Sequence, residues 1–222
     1  MRDAQLLIFD LEGTLLRPND MILESIYGAI ETINNQYDLG IDYPDEKQVK
    51  NLIGQPDFQI VKSLDPNIDP EPADGLRTVM NDLMREMIEE GSADLYDGAR
   101  EALQALKSMG HQIAVTCNYG RAYLFSVLDY FDLYDFVDFS ICIEDVGHAG
   151  SIWMLEDILE NRLALPDESA LIADRKIDFD AAHDVNMQAI GCEWGFGTAD
   201  ELREANATVS SLYELVEFFR QN

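Results

Sequence analysis

Three short apolar runs, each ending on a polar residue, constrain the fold of this chain more than any other feature. They are Leu6 to Phe9 before Asp10, Ile113 to Val115 before Thr116, and Ala170 to Ala173 before Asp174. Runs of this length are too short for buried helices, and their lack of alternation predicts strands covered on both faces, as in a parallel sheet. Helical spacing fills the gaps. Ala99, Leu103 and Leu106 precede the second run, and Leu124, Val127, Leu128 and Phe131 follow it; Ile152, Leu155, Ile158, Leu159 and Leu163 precede the third. Strands alternating with helices in right-handed crossovers predict an α/β core, a doubly wound (Rossmann-like) parallel sheet.

The stretch from Pro18 to Asp94 behaves differently. Ile22, Ile26, Tyr27, Ile30 and Ile33 form one helical stripe, and Leu76, Val79, Met80, Leu83, Met84, Met87 and Ile88 form a second at i, i+3, i+4, i+7 spacing. No buried strand stands out between them, and Asp65-Pro66, Asp69-Pro70 and Glu71-Pro72 punctuate the connection. The expectation is a core domain of residues 1–17 and 95–222 with an α-helical cap domain, 18–94, inserted into it. Linkers near Leu16 to Asp20 and Gly91 to Gly98 would permit closure over the carboxyl ends of the strands, where open α/β sheets bind ligands. The Met-rich stripe reads as core.

Charge narrows the partners. Against 43 acidic residues stand 15 basic ones, a formal net charge of −28 in 222 residues, which repels nucleic acid and anionic membranes. The acids are spread along the whole chain, as a solvated surface requires, and with only five lysines a high-salt cytoplasm is one explanation. No run approaches the roughly 18 apolar residues of a spanning helix, and no basic-then-apolar segment opens the chain, so a cytoplasmic location is expected. Cys117, Cys142 and Cys192 sit in separate apolar runs and read as reduced, buried thiols; His111, His148 and His183 have no ligand spacing.

If the three strands are parallel neighbours, Asp10, Thr116 and Asp174 converge at one edge of the sheet. Two carboxylates there make a hard oxygen site suited to Mg²⁺, which typically takes one or two carboxylates, several waters and a substrate phosphate. A buried carboxylate facing such a phosphate can attack phosphorus and divide one hard displacement into two easier ones.

Asp10-Leu11-Glu12-Gly13-Thr14, Val115-Thr116 and Asp174-Arg175-Lys176-Ile177-Asp178, in that order, resemble the signatures of the haloacid-dehalogenase superfamily over nearly the whole chain. Leu95-Tyr96-Asp97-Gly98-Ala99 and Gly191-Cys192-Glu193-Trp194-Gly195-Phe196-Gly197 resemble its phosphoglycolate-phosphatase-like branch, which carries a helical cap. The resemblance implies a Mg²⁺-dependent phosphatase that hydrolyses a small phosphorylated metabolite through an aspartyl-phosphate. It makes Asp10 nucleophile and metal ligand, and Glu12 the general acid and base that also ligates metal through its carbonyl. It assigns phosphate binding to Thr116, Cys117 and Asn118, metal ligation to Asp174, and support of the metal shell to Asp178.

Two departures matter. Glu12 stands where the family commonly has Asp, a longer side chain of similar intrinsic acidity that the enolase-phosphatase branch also uses. The family usually places a Lys before the last motif, where this chain reads His148-Ala149-Gly150-Ser151-Ile152; Arg121, Arg175, Lys176 and Lys62 are the cations that could replace it. A smaller departure is Ala173 in place of the frequent Gly. The competing expectation is a catalytically degenerate relative with a binding or regulatory role.

Overall fold

The computed structural model describes residues 3–147, 150–162 and 164–220. The chain begins with β1 (Leu6–Asp10) and β2 (Leu16–Arg17), then runs through α1 (Met21–Tyr37), α2 (Glu46–Leu52), α3 (Asp57–Leu64) and α4 (Pro70–Glu89). It continues with β3 (Asp94–Leu95), α5 (Ala99–Ser108), β4 (Gln112–Cys117), α6 (Arg121–Tyr130), β5 (Phe139–Cys142) and α7 (Ser151–Arg162). The last elements are β6 (Ser169–Ala173), α8 (Lys176–Asp184), β7 (Gln188–Cys192), α9 (Ala199–Leu202), β8 (Ala207–Val209) and α10 (Leu212–Arg220).

Six strands form one parallel sheet in the order β5-β4-β1-β6-β7-β8. Counting only these strands along the chain, the order is third, second, first, fourth, fifth, sixth, the doubly wound arrangement whose direction reverses beside its first strand. The two faces of β1 explain its unbroken apolar run. Leu7 and Phe9 join a cluster with Leu103, Leu124 and Leu215 of α5, α6 and α10. Leu6 and Ile8 point the other way, into a cluster with Leu155, Ile158 and Phe179 of α7 and α8. Each such side chain contributes about 1.5–3 kcal/mol on burial, so a helix layer is required on both faces. Leu163, expected to end the α7 stripe, lies outside the described residues.

Between β2 and β3 lie the four helices α1 to α4. Ile22, Ile26, Ala29, Ile30 and Ile33 of α1 are buried, as are Leu76, Met80, Met84 and Ile88 of α4, and all belong to one apolar cluster. The methionines are packing residues. Pro70 and Pro72 fall in the first turn of α4, where a missing N–H costs nothing. The expected linkers pair with each other: β2 and β3 form a two-stranded antiparallel ribbon, Leu16 opposite Leu95 and Arg17 opposite Asp94.

Candidate active site

The site is assembled where β1, β4 and β6 end. Asp10 is the last residue of β1 and lies opposite Thr116 of β4 in register, while Phe9 pairs with Ile172 of β6, which places Asp174 alongside. After Asp10 the chain turns back sharply: Leu15 and Leu16 N–H both donate to the Leu11 carbonyl, and Gly13 takes φ +84°. That glycine is required twice over. Its backbone occupies the left-handed region, and a Cβ there would stand 2.6 Å from Asp174 Oδ2.

Asp174 is held on its other side by the loop after β7. The Phe196 N–H donates to Asp174 Oδ2 at 2.6 Å and the Gly197 N–H at 3.3 Å. Cβ atoms added at Gly195 and Gly197 would come within 2.4 Å of the Asp174 Cβ and 1.8 Å of its carbonyl oxygen. This close wrap gives the Gly195-Phe196-Gly197 segment its physical role. One helical turn after Asp174, α8 presents Asp178, faced by Ser151 at the start of α7 and by Asn118.

Four carboxyl groups thus share one buried region, with Asp10 2%, Glu12 1%, Asp174 0% and Asp178 4% exposed. Asp10 Oδ2, Glu12 Oε2, Asp174 Oδ1 and Asp178 Oδ2, with Thr14 Oγ1, are buried without a hydrogen-bond partner. Burial, then the charges of Asp178, Glu12 and Asp174, push the Asp10 pKa well above the ordinary carboxylate range. Burial carries Asp174 to about 6, burial and the Asp174 charge carry Asp178 to about 7, and burial carries Glu12 to about 8. Such a set can ionise together only when a cation balances it. Unpartnered hard oxygens are the donors a small divalent ion selects. Among the described residues no three His, Cys, Asp or Glu side chains form a ready cage. An open set of this kind suits an ion that keeps waters and shares its shell with substrate.

The Glu12 carboxyl is buried beside Cys117 and Tyr123. Cys117 Sγ lies 3.8 Å from its Oε1, and the Tyr123 hydroxyl faces it without meeting hydrogen-bond geometry. Tyr119 and Tyr123 pack edge to face with centroids 5.7 Å apart, both fully buried. The longer side chain of Glu therefore meets a pocket that accepts it.

The structure brings Asp10, Glu12, Thr116, Asp174 and Asp178 together. The Thr116 hydroxyl donates to the Phe9 carbonyl at 3.4 Å, and Cys117 turns toward Glu12. Asn118 donates through Nδ2 to the Gly54 carbonyl at 3.1 Å and accepts from Ser151 Oγ at 3.2 Å. The four candidate cations go elsewhere. Arg121 pairs with Asp145, Lys176 with Asp180 at 2.5 Å, and Lys62 is exposed on α3. Arg175 turns to Glu201 and to the segment between α2 and α3. Among the described residues no Lys or Arg lies at salt-bridge distance from Asp10. His148 and Ala149, part of the stretch where the family's Lys is expected, lie outside the described residues.

Tyr119, Tyr123 and Ser151 were not readable as site residues from sequence, the i, i+4 spacing of the two tyrosines being their one signal, and the Gly195-Phe196-Gly197 motif was legible without its role as the wrap around Asp174. Asp57 and Asn81 also escaped notice. Asn81 Nδ2 donates to Asp57 Oδ2 at 3.0 Å, Asn81 Oδ1 accepts from the Gly120 N–H, and the Asp57 N–H donates to the Asn118 carbonyl at 3.0 Å. These bonds seat α3 and α4 on the loop after β4.

Comparison with known proteins agrees with this geometry. The model of the haloacid dehalogenase-like hydrolase family matches residues 7–192, and the chain belongs to that family. The match places it among the hydrolases of that family. It is 26% identical over 208 residues to the probable phosphatase IndB of Dickeya dadantii, covering 92% of this chain and 87% of that one. To the pyrophosphatase PpaX of Bacillus cereus it is 24% identical over 189 residues, covering 84% and 82%. The fold matches a predicted phosphatase of Clostridium acetobutylicum with TM-score 0.84 at 23% identity, each chain covered to 99%. It also matches CbbY of Rhodobacter sphaeroides, solved with phosphate, with TM-score 0.82 at 14% identity and 96% coverage of both.

Proposed function

We propose that this protein is a Mg²⁺-dependent phosphatase acting on a small phosphorylated metabolite through an aspartyl-phosphate on Asp10, with residues 18–94 as its cap. The observation that carries the reading is the buried group of Asp10, Glu12, Asp174 and Asp178, whose unpartnered oxygens meet at the carboxyl ends of β1 and β6. Mg²⁺ bound by Asp10, Asp174 and the Glu12 carbonyl, with Asp178 behind them, would balance the charge of the acids and of the phosphate. Asp10 attacks phosphorus while the ester P–O bond breaks, and the departing alkoxide takes the proton of Glu12, which burial keeps protonated near neutral pH. Glu12, now a carboxylate, removes a proton from water; the water oxygen attacks phosphorus, and Asp10 is released with inorganic phosphate. Thr116, Cys117 and Asn118 are the residues proposed to hold the phosphate, their main chain running past the same strand edge.

A net charge of −28 favours a small phosphorylated metabolite over nucleic acid or an anionic membrane as partner. Among the described residues no helix is long and apolar enough to cross a membrane, and three buried free cysteines accord with a reducing cytoplasm. A second reading, a fold retained for binding or regulation, draws its support from the absence, among the described residues, of a Lys or Arg at salt-bridge distance from Asp10. Hydrolysis of p-nitrophenyl phosphate and a metabolite panel, with and without Mg²⁺, separates the two. The expected result is metal-dependent turnover that Asp10→Asn abolishes; equal inactivity of wild type and variant across the panel would establish the second reading.

A further inference from the structure

The segment between α2 and α3 lies against the strand ends, and it is held by its main chain. Arg175, the residue after Asp174, is only 7% exposed. Its Nη1 donates to the Ile53 carbonyl, its Nη2 reaches the Asn51 carbonyl at 3.4 Å, and its Nε bonds Glu201 Oε1 at 3.0 Å. Gly54 makes room for this side chain: it takes φ +81°, and a Cβ there would stand 3.0 Å from Arg175 Cγ. On the opposite side Asn118 donates to the Gly54 carbonyl at 3.1 Å, and the Asp57 N–H returns a bond to the Asn118 carbonyl at 3.0 Å. The carbonyls of residues 51, 53 and 54 are therefore gripped by two core side chains, one adjoining Asp174 and one two residues beyond Thr116.

We propose that Arg175 is a positioning residue that fastens the α2–α3 segment over the carboxylate site, with Glu201 orienting its guanidinium. The planar fork is what makes this work, since it addresses two carbonyls and a carboxylate at once, whereas a lysine ammonium is a single point charge. The cation closest in sequence to the metal loop is thereby committed to holding this segment and not to the phosphate. Asp10 and Asp174 are buried while the grip is formed; releasing it would open the strand ends beside Asn118 to substrate, and re-forming it would exclude water. The effect on rate rests on the phosphatase reading; the docking itself does not.

Hydrogen exchange of peptides covering residues 46–64, in wild type, Arg175→Ala and Arg175→Lys, tests it. Exchange in those peptides is expected to rise about tenfold or more in Arg175→Ala, as for loss of a charged hydrogen bond. Peptides of β1 and β4 should stay unchanged, and Arg175→Lys should restore protection only in part. In Arg175→Lys, which keeps the positive charge beside Asp174 and Asp178, the Kd for inorganic phosphate in Mg²⁺ is expected to be unaltered, and kcat to fall more than KM rises. Unchanged exchange in the 46–64 peptides, or loss of phosphate binding with no change in exchange, would overturn the proposal. If Arg175→Ala does not fold, Glu201→Gln should raise exchange in the same peptides to a smaller extent, and no rise there would count equally against it. An inactive wild type would sink the phosphatase reading while leaving the exchange result decisive.

Discussion

Gly13→Ala is the substitution whose cost follows most directly from the geometry of the site. Two penalties coincide there. At φ +84° an L-residue loses about 1–2 kcal/mol to left-handed backbone strain, and a Cβ 2.6 Å from Asp174 Oδ2 adds an overpacking cost of about 1–3 kcal/mol. Gly110 supplies an internal control, since it has φ +97° but open space where its Cβ would go, so Gly110→Ala should carry the strain alone. The expected destabilisation is about 2–5 kcal/mol for Gly13→Ala against about 1–2 kcal/mol for Gly110→Ala. For a chain of this size that corresponds to a fall in Tm of about 4–20 °C against about 2–8 °C. Urea unfolding in chelator, with both variants compared at the same pH, isolates the packing term from any metal effect. Equal destabilisation of the two variants would refute the account, because it would mean that Asp174 does not press against the turn after Asp10.

The carboxylate cluster also predicts a pH dependence. Folding raises Asp174 from the ordinary 3.8 to about 6 and Asp178 to about 7, so the native chain retains protons that the unfolded chain has released. Their stabilising contribution is complete below about pH 4 and is lost as pH rises through about 6 to 7. Melting in chelator should therefore fall between about pH 4 and 7, and the gain from added Mg²⁺ should grow over the same range; a flat or rising melting temperature in chelator would contradict this. The net charge of −28 predicts a second trend: Tm should climb as molar salt screens self-repulsion, and no gain would remove the high-salt explanation of the composition.

What sequence could reveal depended on burial. β1, β4 and β6 were legible because strands covered on both faces must be apolar throughout, and Asp10, Thr116 and Asp174 stood out at their ends. β5, β7 and β8 were missed: they read FSIC, QAIGC and ATV, short and diluted with small or polar residues toward the sheet's flanks. α2 was missed although Asp45 and Gln48 form a capping box at its start, a signal present in the sequence. α3 has only Asp57, Ile60 and Val61 buried, too few to write a stripe. The contacts of Arg175 with Ile53 and of Asn118 with Gly54 span 122 and 64 residues and use main-chain carbonyls, which leave no mark on residue type. Arg175 could be recognised as a nearby cation, but its direction is a property of the fold.

The central claim, that Asp10 is a nucleophile, is tested most directly by acid-quenching the enzyme during turnover of a phosphorylated substrate in Mg²⁺ and locating the phosphoryl group by peptide mass spectrometry. The account predicts an acid-stable, base-labile acyl-phosphate on the peptide bearing Asp10, absent in Asp10→Asn. Turnover with no label on Asp10, or label on another residue, would contradict it.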